Sequence, residues 1–180
     1  MRHEEIIFSG FGGQGALFAG QLLAYTGISE GLYVSWIPSY GPEMRGGTAN
    51  CTVILSEEEI GAPVVSHPTS AVVLNLPSME KYEPLIKPNG LLIVNQSLVT
   101  ITSKRDDLRI ITIPATDLAT EMGNQRMANL ILLGAFVEDS GIVSREAVGQ
   151  ELEKHLSGRQ RQWLEPNKVA LEKGAQLARA

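Results

Sequence analysis

Short apolar runs alternate with longer segments of mixed polarity along most of this chain. The short runs have the length and the β-branched content of strands, and the longer segments carry the spaced apolar positions of helices. The predicted strands are residues 5–9, 32–37, 49–55, 71–76, 91–95 and 109–113. The predicted helices are residues 16–26, 77–86, 116–122, 125–140, 145–155 and 166–180, with Thr116 or Asp117 and Ser144 as caps.

The connection between the second and third strands breaks this alternation. Residues 38–48 contain two prolines and three glycines, and the segment is too short for a crossover helix. We therefore expect these two strands to be antiparallel in an otherwise parallel sheet. The pattern predicts an α/β fold: one Rossmann-like, three-layer domain over residues 1–180, with a mixed, mostly parallel sheet and a helical C-terminal third.

A glycine-rich turn directly follows the first strand and precedes the first helix. In this context Gly-x-Gly-x-x-Gly lets the backbone approach a phosphate at the helix N-terminus. The alternative is that the glycines only make a tight turn and let the helix pack on the sheet. The candidate cofactor-binding residues are Gly10, Gly12, Gly13, Gln14 and Gly15.

The second strand argues against a standard NAD site. Such a site places an acid at the end of that strand, to bind the ribose hydroxyls. Here the nearest acid, Glu30, precedes the strand and lies at its wrong end. A self-sufficient NAD-type enzyme is therefore disfavoured.

Composition narrows the function classes further. With 43% hydrophobic residues, a net charge of −5 and no large basic cluster, the chain is typical of a globular protein that does not bind nucleic acid. No apolar run reaches membrane length and the N-terminus is not a signal peptide, so we expect a cytoplasmic protein. The single cysteine, Cys51, excludes a four-cysteine iron–sulfur cluster held by this chain alone and is expected to be a buried core residue. The three histidines have no second ligand at metal spacing, so no metal site is predicted.

Several motifs together resemble a known family. Gly-Phe-Gly-Gly-Gln-Gly at residues 10–15 and Ser-Tyr-Gly-Pro-Glu-Met-Arg-Gly-Gly-Thr-Ala-Asn-Cys at residues 39–51 look like the gamma subunit of 2-oxoacid:ferredoxin oxidoreductases. Residues 72–77 and 91–97 sit where that family has similar strands, so the resemblance covers essentially the whole chain. The residue 40–49 motif is most similar to members assigned to 2-oxoglutarate.

This resemblance implies a subunit of a larger enzyme of anaerobic metabolism. Such an enzyme decarboxylates a 2-oxoacid on thiamine diphosphate, passes the acyl group to coenzyme A (succinyl-CoA from 2-oxoglutarate) and sends electrons through iron–sulfur clusters to ferredoxin. This chain has no Gly-Asp-Gly magnesium–diphosphate motif, no cysteine cluster and no recognisable acid–base pair, so we predict no catalytic residue on it. Thiamine diphosphate, Mg²⁺ and the clusters are expected on the partner alpha, beta and ferredoxin-like delta subunits.

The motif at residues 40–47 is the predicted loop facing a partner or coenzyme A. The planar fork of Arg45 suits a phosphate or a carboxylate, and glycines beside it allow close backbone approach. The alternative is that Arg45 pairs with Glu43 or another acid of its own chain and only fixes the loop. The candidate residues are Tyr40, Glu43, Arg45, Gly46 and Gly47.

Three functions from different classes remain open at this point. The first is the gamma subunit described above, acting on 2-oxoglutarate or on another 2-oxoacid (2-oxoisovalerate, pyruvate or indolepyruvate). The second is a self-sufficient, NAD-type nucleotide-binding enzyme. The third is a non-catalytic nucleotide-sensing or scaffold module.

Overall fold

The computed structural model describes residues 1–40 and 48–180, with Tyr40 described by its backbone alone. The strands are β1 (His3–Phe11), β2 (Tyr33–Tyr40), β3 (Thr48–Ser56), β4 (Ser70–Val73), β5 (Leu91–Asn95) and β6 (Arg109–Ile113). The α-helices are α1 (Ala16–Ser29), α2 (Leu76–Tyr82), α3 (Ala115–Glu121), α4 (Ala128–Ser140), α5 (Arg145–His155) and α6 (Leu164–Arg179). Short 3₁₀ helices span Glu83–Leu85, Gln125–Met127 and Gly158–Trp163.

All six strands form one sheet in the order β2-β3-β1-β4-β5-β6. Strands β1, β4, β5 and β6 are mutually parallel, whereas β3 runs antiparallel to both β1 and β2. The predicted α/β class and the predicted antiparallel pair are therefore confirmed. The reason is the one given by the sequence: only the seven residues 41–47 connect β2 to β3, and a crossover helix needs a longer connection.

The two faces of the sheet are covered unequally. Along β1 the side chains alternate, so that Ile6 and Phe8 enter one buried cluster and Ile7 enters the other. The larger cluster lies under α1, α4, α5 and α6, where Phe8 meets Phe136 edge to face with ring centroids 6.2 Å apart. The smaller cluster is closed by α2 through Met79 and Tyr82. The result is a three-layer fold with most of its helical mass on one side.

Helix α4 is the centre of the thicker layer. Its residues from Ala128 to Val137 are all buried, and it crosses α6 at very short range. A Cβ atom built on Gly134 would overlap the carbonyl oxygen of Leu171, and one built on Gly174 would overlap that of Ile131. Two glycines on facing helices therefore set the distance between the helix axes.

Several details of the predicted helices were wrong. The sequence predicted Thr116 or Asp117 as the cap of α3, but neither side chain caps it; instead Asn95 Oδ1 accepts from Thr116 N and Ser97 Oγ accepts from Asp117 N. Helix α4 begins at Ala128, after a separate 3₁₀ turn, because Asn124 caps that turn. Ser144 does cap α5, through Ala147 N at 3.1 Å, as predicted.

Cys51 lies in the larger core cluster, as predicted. Its thiol donates to the carbonyl oxygen of Ala16, and burial raises the pKa of the Cys51 thiol to about 12. The thiolate needed for nucleophilic chemistry is therefore disfavoured. In the part of the chain that the structure describes, no helix is long and apolar enough to cross a membrane.

A buried carboxylate joins α5 to α1. The side chain of Glu151 is 6% exposed; it accepts hydrogen bonds from Ser29 Oγ and from Lys154 Nζ, with His155 Nδ1 at 3.8 Å. Burial by itself raises the pKa of this carboxyl, but the hydrogen bonds from Lys154 and Ser29 outweigh it and leave the pKa lowered. The ionised form is therefore stabilised by folding.

We expect Glu151→Gln to lower the free energy of unfolding at pH 7 by about 1–3 kcal/mol, because a charged acceptor of two hydrogen bonds is lost. A carboxyl whose pKa is lowered on folding contributes stability above its unfolded pKa and loses it as the pH falls. The difference in the free energy of unfolding between the wild-type chain and the variant should therefore become smaller below about pH 4.3. Urea unfolding at pH 7 and pH 4 measures it. Glu153→Gln, on the exposed side of the same helix, is the control, and an equal gap for both variants would contradict the role of burial.

Candidate functional site

The glycine-rich turn is built by its own backbone and one side chain. Gly13 and Gly15 have φ angles of +89° and +81°, which residues with a Cβ rarely adopt. Gln14 closes the turn: its backbone N–H donates to Phe11 O, and its side-chain Oε1 accepts from Phe11 N at 2.6 Å. The turn is therefore held in shape by hydrogen bonds between Gln14 and Phe11.

Helix α1 starts directly at this turn without a side-chain cap. Gly15 occupies the N-cap position, and no side chain of residues 1–39 or 48–180 accepts from the first backbone N–H groups of the helix. These groups carry the positive end of the helix dipole, which favours an anion. Asn129 Nδ2 donates to Gly15 O at 3.0 Å, and so joins the turn to the start of α4.

A crevice of about 370 Å³ opens beside the turn. It lies at the carboxyl ends of the parallel strands β1, β4, β5 and β6, because the segments that follow these strands supply most of its wall. The chain runs from β1 toward one edge of the sheet and from β4 toward the other. Ligands of open α/β sheets bind at such a switch point. The wall is formed by Gly12, Gly13, Gln14, Leu74, Leu98, Thr116, Gln125, Arg126 and Ala128.

Arg126 is the only charged residue in the part of that wall that the described residues form. It belongs to the 3₁₀ turn Gln125–Met127, whose backbone is fixed by Asn124 Oδ1, which accepts from Arg126 N at 3.1 Å. Within residues 1–40 and 48–180 its guanidinium has no carboxylate at salt-bridge distance, whereas Arg2, Arg105, Arg109, Arg145 and Arg179 all have one. The crevice thus combines the glycine turn that precedes the uncapped start of α1 with a guanidinium that has no carboxylate partner in the described residues, and both favour an anionic ligand.

A layer of buried polar side chains supports the crevice from below. Ser9 Oγ and Ser78 Oγ are 2.8 Å apart, which joins β1 to α2. Asn95 Nδ2 donates to Leu74 O at 3.1 Å and to Thr116 Oγ1 at 2.9 Å, which joins the ends of β4 and β5 to α3. These bonds hold two crevice residues, Leu74 and Thr116, in fixed positions.

The predicted site residues fall into two groups. Gly12, Gly13 and Gln14 line the crevice, while Gly10 and Gly15 shape the turn; a Cβ on Gly10 would lie 2.6 Å from Gln14 Oε1. The second predicted group, Glu43, Arg45, Gly46 and Gly47, lies outside the described residues, and of Tyr40 only the backbone is described.

Sequence analysis missed Arg126 and Thr116 as crevice residues. Both lie far along the chain from the turn, and neither belongs to a recognisable motif. Glu30, the acid nearest to the second strand in the sequence, has a structural role. It pairs with Arg2 at 3.3 Å and accepts a hydrogen bond from Ser144 N at 2.8 Å. Its position at the end of α1 agrees with the argument against a standard NAD site.

The sequence of this chain matches a known protein family over most of its length. Residues 5–177 match the family described as pyruvate ferredoxin/flavodoxin oxidoreductase. The chain belongs to this family. The resemblance inferred from the residue 10–15 and residue 39–51 motifs is therefore confirmed.

Related proteins in the pyruvate ferredoxin/flavodoxin oxidoreductase family have different names and lengths. Ketoisovalerate oxidoreductase subunit VorA of Methanothermobacter marburgensis is 36% identical over 99% of this chain, but this chain spans only 37% of it. 2-Oxoglutarate synthase subunit KorC of Methanocaldococcus jannaschii is 34% identical over 98% of this chain and 94% of its own length. The family unit thus occurs both as a separate subunit and as about a third of a longer chain.

A solved structure of similar length has the same fold. The keto/oxoacid ferredoxin oxidoreductase gamma subunit of Geobacter sulfurreducens superposes with a TM-score of 0.84, at 29% sequence identity, over 97% of this chain and 98% of that one. The single-domain fold therefore agrees with that of a separate gamma subunit.

Proposed function

We propose that residues 1–180 form one gamma-type domain that acts as a subunit of a cytoplasmic 2-oxoacid:ferredoxin oxidoreductase. Family membership supports the class of enzyme. The observation that carries the proposal is the crevice at the switch point of the sheet, which is lined by Arg126 and by the glycine turn that precedes the uncapped start of α1.

The crevice gives this chain a specific part in the complex. Coenzyme A is the polyanionic co-substrate of the proposed reaction, and a phosphate group matches the N–H groups of α1 and the guanidinium of Arg126. Gly12 and Gly13 allow close approach, and Gln14, already bonded to Phe11, supports the turn. In our proposal this chain binds and orients coenzyme A, and contributes no catalytic residue.

The chemistry itself is assigned to partner chains. The alpha and beta subunits are proposed to hold thiamine diphosphate and Mg²⁺, and a ferredoxin-like delta subunit to hold iron–sulfur clusters that pass electrons to ferredoxin. The residue 40–47 motif is proposed to face a partner subunit or coenzyme A, with Arg45 as its anion-binding side chain. The VorA relative, of which this chain spans only 37%, supports an enzyme in which this domain works with further protein segments.

2-Oxoglutarate is the proposed substrate, giving succinyl-CoA. The residue 40–49 motif supports it, and so do the KorC relatives, which match this chain over most of their own length. The second candidate is 2-oxoisovalerate, because two VorA proteins are also similar, at 36% and 34% identity.

We expect the chain purified alone to reduce no viologen dye with any 2-oxoacid and coenzyme A. Reconstitution with its partner subunits should produce dye reduction that requires this chain. Comparing kcat/KM for 2-oxoglutarate, 2-oxoisovalerate, pyruvate and indolepyruvate in that complex then identifies the substrate. Activity of the isolated chain would refute the proposed role, and a preference for 2-oxoisovalerate would replace only the substrate.

A further inference from the structure

Most arginines in the described residues serve the fold of this chain. Arg2, Arg105, Arg109, Arg145 and Arg179 each pair with a carboxylate of the same chain. Across residues 1–40 and 48–180, three arginines have no such partner: Arg126 in the crevice, and Arg159 and Arg161 in the connection between α5 and α6. The last two are left available for a group outside the chain.

These two arginines belong to a locally cationic segment. Residues 154–164, here called the cationic connector, contain Lys154, Arg159 and Arg161 and no carboxylate, although the whole chain has a net charge of −5. Lys154 Nζ forms a salt bridge with Glu151 Oε1 at 2.6 Å. Arg159 and Arg161 are therefore the cations of this segment that have no carboxylate partner in the described residues. Their side chains are two positions apart and both are exposed.

The backbone of the cationic connector is fixed at both ends. Leu156 and Leu164 pack against the larger core cluster, while the seven residues between them are all exposed. The connector turns at Gly158, whose φ is +56°, and continues as a 3₁₀ helix to Trp163. A surface held in this way loses less conformational entropy when it binds.

Aromatic residues lie on both sides of the two arginines along the chain. Trp163, at the end of the 3₁₀ helix, is 36% exposed, and His155, at the start of the cationic connector, packs on Tyr25 with ring centroids 4.5 Å apart. Tyr25 is itself 41% exposed. Arginine, tryptophan and tyrosine are the residues enriched at the energetic centres of protein interfaces.

We propose that the cationic connector docks on an acidic surface of another subunit of the same complex, with Arg159 and Arg161 each taking a carboxylate. This inference rests on the proposed function. Charge complementarity argues for it, since two planar guanidinium forks with no partner in the described chain match carboxylates. Nucleic acid is the weaker occupant, because two free arginines on an acidic chain make too small a basic patch.

The test is the double reversal Arg159→Glu with Arg161→Glu, measured against the matched reversal Lys104→Glu with Lys173→Glu. All four side chains are exposed, and both pairs change the net charge by the same amount. Binding of each chain to the partner subunits, expressed without this subunit, is measured by calorimetry at low and high NaCl. We expect the arginine reversal to weaken binding roughly tenfold or more at low salt and to flatten its salt dependence, while the lysine reversal has little effect.

Three results would overturn the proposal. The first is equal weakening by both reversals, which would reflect net charge alone. The second is no weakening by either reversal. The third is tight, salt-dependent binding of a 20-nucleotide DNA that only the arginine reversal abolishes, with subunit binding unchanged. If the wild-type chain does not bind the partner subunits at all, the proposed function fails as well, so the two failures are distinguishable.

Discussion

Gly134→Ala is expected to lower the free energy of unfolding of the isolated chain by about 2–4 kcal/mol, or its Tm by roughly 5–15 °C. A helical glycine replaced by alanine normally gains up to about 1 kcal/mol, because the unfolded backbone loses freedom. Here the added methyl group would overlap the carbonyl oxygen of Leu171 on α6. Backbone cannot move aside as a side-chain end can, so the two helices must separate and open the core.

The matched control lies on α5. Gly149 is also helical, but the nearest atom of the described residues that a Cβ there would meet is Cε of Lys168, at 3.9 Å. Gly149→Ala should therefore leave stability unchanged or raise it by up to about 1 kcal/mol. Gly174→Ala should behave like Gly134→Ala, because its Cβ would overlap the carbonyl oxygen of Ile131. Chemical denaturation of all three variants measures the effect, and an unchanged midpoint for Gly134→Ala would show that α4 and α6 do not pack as described.

Arg126→Ala should raise the apparent KM for coenzyme A in the reconstituted complex by roughly tenfold to a hundredfold. A hydrogen bond to a charged group contributes about 1.5–3 kcal/mol, and tenfold corresponds to about 1.4 kcal/mol. Arg126→Lys keeps the charge but loses the planar fork, so an intermediate value is expected. Because the guanidinium has no carboxylate partner in the described chain, the Tm of the isolated chain should not change.

Steady-state kinetics with each substrate varied in turn separates the possible roles of Arg126. The KM for the 2-oxoacid should be unaffected, since only the coenzyme A step uses this crevice in our proposal. Lys104→Ala, which changes an exposed cation that is not part of the crevice wall, is the control. A parallel change in both KM values would indicate an assembly defect, and an unchanged KM for coenzyme A would refute the assignment of the crevice.

Part of the site was predictable because it is local in sequence. Gly10–Gly15 follows an apolar strand and precedes a helix, and the positive φ angles of Gly13 and Gly15 show why glycine is required there. The strand bounds 91–95 and 109–113 were also predicted as observed. Residues 91–95 are a continuously apolar, buried parallel strand, whereas residues 109–113 form the mostly exposed edge strand. The start of α4 was misplaced because Asn124 caps a separate 3₁₀ helix over Gln125–Met127, which a helical period does not distinguish from α4 itself.

The sequence alone determined the fold class, the antiparallel β2–β3 pair and the family, because periodicity, breakers and motifs act over short stretches of chain. Only the tertiary structure decided which distant residues meet. Arg126 lines the same crevice as the glycine turn, and Asn95 and Ser97 accept hydrogen bonds from the start of α3. Gly134 of α4 packs against Leu171 of α6. These contacts form because neighbouring strands of the sheet are not consecutive in the chain. Each of these contacts depends on how the helices cross and on the order of the strands in the sheet. The residue types along the chain do not specify either of these.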